Sequence, residues 1–263
     1  MTSYTVSIDG NSPDAALHRT VLASLPNSYR LVEGVAEVVL ASASDPASVE
    51  RACSSGSRAV VVDHPGLLLP DDLSAMADAA DRNGCIVAPA PRYAPRLAAE
   101  GDLMGAVEIE ILESTIVSGG SLRSALVEQL AMVRAVLGAA ASIRVLHTST
   151  SHYACEATMM DRSQSRVLLN GVTSPCAGEE ANLHALAAER RLVVRIDAGP
   201  VARPAEICCY DDHGARTPWP VHQHSHRITL SQLHRLLTTG QSTVTYSLED
   251  LRHDTRLATV VVP

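Results

Sequence analysis

Asp63 and His64, followed by Pro65, end an apolar run, Arg58 to Pro65, of the kind that makes a strand covered on both faces. The carboxyl edge of such a strand is where an open parallel sheet places its ligand, and an imidazole there is suited to moving protons. The plain alternative is that the pair caps a turn. Arg92 and Tyr93 follow the next apolar run, where a guanidinium fork can clamp an anionic substrate or tie two domains together. Ser124 and Glu128 lie four apart and so share one face of a predicted helix, for which a solvated stripe is the commonplace reading. His222, His224 and His226 alternate, and on a strand would project three imidazoles to one side. No carboxylate or cysteine lies within that string, and three sequential ligands rarely close a tetrahedron unaided, so no metal is expected. His147 and His152 flank a Ser/Thr tract and read as surface residues; Cys208 and Cys209 read as neighbours on a strand. There is no G-x-S-x-G elbow to support a hydrolase.

Composition narrows the chemistry further. All 21 cationic side chains are Arg, so Schiff-base formation, pyridoxal attachment and a P-loop lysine are ruled out. The formal net charge of -8 disfavours nucleic acid as a partner. Phenylalanine is absent, and the core is expected to be built from Ala, Val, Leu and Ile. The six cysteines form no C-x-x-C pair and read as free thiols. No signal-peptide pattern opens the sequence and no apolar run approaches the length of a membrane span, so a soluble cytoplasmic protein is expected.

The elements that must position these residues follow from period and punctuation. Tyr4 to Gly10 is a short strand ending in Gly, and Pro13 to Leu25 has helical spacing. Leu31 to Ser44 supplies one or two strands, Pro46 to Cys53 a helix, Arg58 to Pro65 a strand, Pro70 to Asn83 a helix and Cys85 to Pro91 a strand. Strands alternating with helices at this pitch indicate a parallel sheet. After Gly105 the pattern AVEIEILEST alternates strictly, the mark of an antiparallel, half-buried strand. Ser121 to Leu137 is the longest predicted helix. Four β-rich stretches follow, Ile143 to Thr150, Tyr153 to Met160, Arg166 to Val172 and Leu192 to Asp197, with Asn170-Gly171 read as a turn signal. Thr229 to Thr238 is read as the last helix, and LATVVVP as a strand or extended tail.

The order of these elements, together with RYAP at Arg92 to Pro95, EGDLMGAVEIE at Glu100 to Glu110 and the ungapped helix Gly119 to Gly138, resembles the glucose-fructose oxidoreductase / inositol dehydrogenase (Gfo/Idh/MocA) family over nearly the whole chain. The resemblance implies a dinucleotide-binding Rossmann domain joined to an open antiparallel sheet, and hydride transfer between nicotinamide and a sugar or related alcohol. The departures are as informative. The family's G-x-G-x-x-G-x-x-H falls on Gly10, Ser12, Ala15 and His18, so side chains stand where pyrophosphate would approach, and Asp9 and Asp14 add repulsion. Glu33 is the acid placed to hold a ribose. The family's E-K-P lysine is matched to His64, its catalytic aspartate to Ser124 and its catalytic histidine to Glu128.

The expectation is therefore an α/β domain over residues 1–92, Rossmann-like but shortened and degenerate, followed by an α+β domain over 93–263 with an open, mostly antiparallel sheet. The leading functional expectation is a redox-inactive enzyme using no cofactor. It would perform proton-transfer chemistry (cyclisation, isomerisation or elimination) on a small polar or anionic metabolite in the interdomain cleft. His64, Glu128 and Ser124 would be catalytic, and Arg92, Tyr93 and Asp63 would bind substrate. The first alternative is an NAD- or NADP-dependent oxidoreductase using Gly10, Ser12, Ala15 and Glu33; the second is a non-catalytic interaction subunit. A homo-oligomer through the open sheet face is expected from the resemblance.

Overall fold

The computed structural model describes residues 2–10, 12–99, 108–161, 165–174, 178–197, 203–218, 223–241 and 244–262. The string Glu100 to Val107, Cys176 and His222 lie outside them. The chain divides into two compact units, Met1–Arg92 with His224–Arg252, and Tyr93–Gln223 with His253–Pro263.

In the first unit the order is β1 (Tyr4–Ile8), α1 (Ala15–Ala23), β2 (Tyr29–Leu31), β3 (Val38–Ser42), α2 (Pro46–Ser54), β4 (Ala59–Asp63), α3 (Pro70–Asn83) and β5 (Ile86–Ala90). The five strands form one parallel sheet in the order β2-β1-β3-β4-β5. Every residue of β4 is buried, as its unbroken apolar run requires of a strand covered on both faces. Pro89 has no N–H to donate, and it is tolerated because β5 is the edge strand. Both α2 and α3 begin on a proline, where the missing N–H is lost at no expense, and α3 ends on Gly84 at φ 62°. The core of the unit joins Val6, Val38, Leu40 and Val61 of the sheet to Leu230 and Leu233. Those two leucines come from a much later helix, whose Leu230 carbonyl accepts a 2.8 Å hydrogen bond from the Tyr29 hydroxyl.

The second unit holds α4 (Ala94–Ala99), β6 (Ile111–Ser118), α5 (Leu122–Leu137), β7 (Ala140–Thr148), β8 (His152–Met159), β9 (Arg166–Thr173), β10 (Glu180–Leu186), β11 (Arg191–Asp197), β12 (Glu206–Asp211) and β13 (Gly214–Arg216). These strands form a sheet in the order β13-β12-β11-β10-β6-β9-β8-β7, antiparallel throughout except for the β6–β9 pair. Alternation decides the faces: Leu112, Ser114 and Ile116 of β6 and Leu183 of β10 are buried, whereas Glu113, Thr115, Asn182 and His184 line a shallow hollow on the other side. Inside, Gln129 of α5 donates to Ser114 Oγ (3.2 Å) and the Asn170 carbonyl (2.9 Å) and accepts from the Tyr153 hydroxyl (2.6 Å). The chain closes with α6 (Ser225–Thr239), which belongs to the first unit, and α7 (Leu248–Val261).

Three expectations are corrected by these elements. Asn170-Gly171 is no turn but the interior of β9, and Gly171 is there because a Cβ would overlap the Tyr153 ring. LATVVVP is not a strand: up to Val261 it is the end of α7, whose buried Leu251, Asp254, Thr255, Ala258 and Val261 keep a helical period. The cores are not methyl-only, since five of the six tyrosines (Tyr4, Tyr29, Tyr93, Tyr153 and Tyr246) are buried. RYAP follows β5, and β4 is the strand that ends at Asp63.

Candidate functional site

The sheet order β2-β1-β3 reverses direction at β1, and such a switch point, at the carboxyl ends of the strands, is where open α/β sheets hold ligands. A cavity of about 640 Å³ runs from the carboxyl end of β1 towards the amino ends of β3 and β4, lined by Ser7, Ile8 and Asp9 of β1 and its exit, by Leu31 of β2 and Val32 to Ala36 after it, and by Arg19, Val39, Ser48, Arg51, Ala52, Ser55 and Ser57. Glu33, Gly34, Arg19 and Arg51 are among the lining residues, and the Arg51 guanidinium is paired with Asp45 at 2.9 Å.

The turn between β1 and α1 decides whether a diphosphate can reach this cavity. A Cβ built on Gly10 meets no atom within 4 Å, so the glycine leaves open space. Ser12 is 6% exposed, tucked into the unit, and its hydroxyl has no hydrogen-bond partner. Asp14 is the N-cap residue of α1 but makes no side-chain cap; its Oδ2 is bonded to His64 Nε2 at 2.7 Å. That hydrogen bond, opposed by partial burial, holds the Asp14 carboxyl below its usual range. The first-turn amides of α1 are thereby left without a side-chain cap, the condition under which a helix N-terminus accepts an anion. The turn fits a dinucleotide better than its sequence suggests.

His64 follows β4 in the left-handed conformation, φ 50° and ψ 47°, and is the one non-glycine residue with positive φ among the described residues. Its Nδ1 accepts from Arg92 at 2.7 Å, so the ring proton sits on Nε2 and points to Asp14. Asp63, one residue earlier, turns the other way. It is 1% exposed, and its two oxygens meet His18 Nε2 and, at 2.5 Å, His226 Nε2. Burial resists ionisation of Asp63, but the charge of His226 and the hydrogen bonds from His18 and His226 outweigh it and hold the carboxyl far below its usual range. His18 and His226 are 1% and 5% exposed. His226 Nδ1 lies 2.8 Å from Nδ1 of His224, the N-cap of α6.

Of the residues singled out from sequence, Asp63, His64 and Arg92 come together in the first unit, with Gly10, Ser12, Ala15 and Glu33 along the same sheet edge. A ligand would meet His64 rather than Asp63, whose oxygens are engaged. Ser124, Glu128 and Tyr93 belong to the second unit. Glu128, at 5% exposure, is no part of a solvated stripe but lies in a run of buried α5 residues; Tyr93 is buried as well. His147 and His152 are strand neighbours with ring centroids 5.5 Å apart, and Cys208 and Cys209 are both half-buried on β12. The alternating-strand reading of Val221 to His226 is corrected: His224 caps a helix and His226 is inside it, on the side facing the sheet edge. Sequence reasoning missed the partnership of His18, Asp63 and His226. The one signal available was that all three residue types are ligating or proton-bearing.

No protein-family model matches the sequence, and no curated protein matches it. Solved structures do. A putative NADPH-dependent oxidoreductase from Desulfitobacterium hafniense superposes with a TM-score of 0.79 over 100% of this chain and 95% of its own, at 10% identity. An aldose-aldose oxidoreductase from Caulobacter crescentus, solved with glycerol, gives 0.76 over 98% and 96% at 12% identity. An oxidoreductase from Agrobacterium radiobacter, solved with NAD+, L-tartaric acid and magnesium, gives 0.73 over 99% and 95% at 12% identity. The two-sheet fold expected from the Gfo/Idh/MocA resemblance is thus the fold of this chain. The expectation of a redox-inactive, cofactor-free isomerase or lyase is overturned: the three solved structures named above, which match this chain end to end, are oxidoreductases, and Ser12, one of the side chains expected to obstruct the diphosphate, is buried.

Proposed function

We propose that this protein is a nicotinamide-dinucleotide-dependent oxidoreductase acting on a small polyhydroxylated or hydroxy-acid substrate. The observation that carries the reading is the cavity beside β1 and β3, lined by Asp9 at the exit of β1 and by Glu33 after β2. Gly10 and the uncapped first turn of α1, from Ala15 onward, would receive the diphosphate. Glu33 would accept from the ribose hydroxyls, and Arg19 would supply cationic charge to the same cavity. When bound, the nicotinamide supplies a hydride acceptor or donor; the chain supplies position. His64 holds the Arg92 guanidinium, and in this reading Arg92 binds substrate oxygen. With no lysine in the chain, a carbinol proton would pass to another group, for which an imidazole or a carboxylate is suited. The relatives' ligands, glycerol and L-tartaric acid, support the substrate class.

The test is a fluorescence titration of the protein with NADH and NADPH, alongside thermal shifts with all four nicotinamide dinucleotides. Saturable binding with a rise in Tm supports the reading. Flat responses to all four at millimolar concentration overturn it.

A further inference from the structure

We propose that His18, Asp63 and His226 form a binding site for one divalent transition-metal ion of the zinc class, held by the Nε2 atoms of the two imidazoles and the Asp63 carboxylate. The donor atoms of the three residues all lie within 4.8 Å of one another. Donors about 2.1 Å from a tetrahedral ion stand about 3.4 Å apart, so the cluster is of the right size to close on a metal with small side-chain adjustments. The three residues come from three elements, α1, the end of β4 and the second residue of α6, separated by 45 and 163 positions in the chain. Such convergence is not the by-product of one local motif.

The geometry is that of ligands rather than of a surface ion pair. All three side chains are buried. The His18 and His226 rings stand edge to face, 5.0 Å between centroids and 85° between planes, with both Nε2 atoms turned to the same carboxylate. His226 has the outer-shell partner that a metal-bound imidazole usually has: its Nδ1 meets His224 Nδ1 at 2.8 Å, which fixes the ring and leaves Nε2 for the ion. Two imidazoles and one carboxylate suit zinc or its first-row neighbours better than calcium or magnesium, which prefer oxygen alone. Three protein ligands leave one position of a tetrahedron for water. The ion would clamp α1 and α6 to the carboxyl end of β4.

The experiment uses the full chain, stripped with chelator and then titrated with Zn²⁺ by calorimetry and with Co²⁺ by visible absorption. One equivalent of Zn²⁺, Co²⁺ bands of a tetrahedral or five-coordinate site, and a higher Tm with Zn²⁺ are expected. Asp63→Asn and His226→Gln should weaken Zn²⁺ binding by at least about 100-fold. If those variants do not fold, His224→Ala provides the second reading: it leaves all three ligands in place and should weaken Zn²⁺ by about 10- to 100-fold. Two results overturn the proposal. One is no saturable Zn²⁺ heat and no Co²⁺ bands in the wild-type chain, which makes the cluster a proton-bridged His–Asp–His network. The other is unchanged Zn²⁺ affinity in a folded His226→Gln or His224→Ala variant, which places the ion elsewhere.

Discussion

Asp14 Oδ2 lies 2.7 Å from His64 Nε2, and this one contact does two things. It draws the N-cap carboxylate of α1 away from the helix amides, and it orients the imidazole so that Nδ1 accepts from Arg92. An acidic side chain that in sequence looks like a repellent of phosphate is, in the fold, a partner of the residue ending β4.

Gly10 offers a clean test of the cofactor reading because a Cβ there meets no protein atom within 4 Å. Gly10→Ala should leave Tm nearly unchanged, while NADH or NADPH binding weakens about 10-fold or more as the methyl enters the space of the diphosphate. Equal affinity in the variant, measured by fluorescence titration, would remove Gly10 from the site.

His64 is held in the left-handed region, which β-branched residues avoid and Asn tolerates. His64→Val should therefore be less stable than His64→Asn by about 1–2 kcal/mol in urea unfolding, although both lose the bonds to Asp14 and Arg92. Equal stabilities would mean that the turn relaxes freely.

Gly171 is required by the ring of Tyr153. Gly171→Ala should destabilise the protein by about 1–3 kcal/mol, the range for overpacking a core. Adding Tyr153→Ala should recover part of that loss, so that the double variant is more stable than the sum of the singles predicts. Additive losses in a double-mutant cycle would break the assigned contact.

Burial pushes the Cys155 thiol up to about 12 from its ordinary 9.0. The folded chain thus keeps a proton that the unfolded chain gives up, so the contribution to stability is whole below pH 9 and is lost as pH rises towards 12. In this window wild type should lose stability more steeply than Cys155→Ala, by about 1.4 kcal/mol per pH unit at most. Parallel curves in alkaline urea titrations would show that burial does not raise the Cys155 pKa in the folded chain.

The parallel sheet was legible because its strands are short apolar runs cut by Gly and Pro, as in Arg58 to Pro65 and Cys85 to Pro91. In the second sheet β10 is faint in the sequence: EANLHAL alternates, but its inward residues include Ala181 and Ala185, which carry little β signal. α7 is hidden in the sequence because its β-branched end imitates a strand, whereas its buried stripe begins earlier, at Leu251, Asp254 and Thr255. The loop after β1 misled for a physical reason. A Ser replacing Gly obstructs phosphate only if it points outward, and burial of Ser12 is not written in its neighbours. The meeting of His18, Asp63 and His226 needs chain separations of 45 and 163, which no local pattern encodes.

The first unit is built from two stretches of chain, and Leu230, Leu233 and the acceptor for Tyr29 all arrive with the later one. As the polypeptide leaves the ribosome, the parallel sheet must therefore wait for well over a hundred residues of the second unit to be synthesised before its own core is complete. During that interval β5 has no α6 against it, and the nascent sheet edge is where a chaperone would have most to shield.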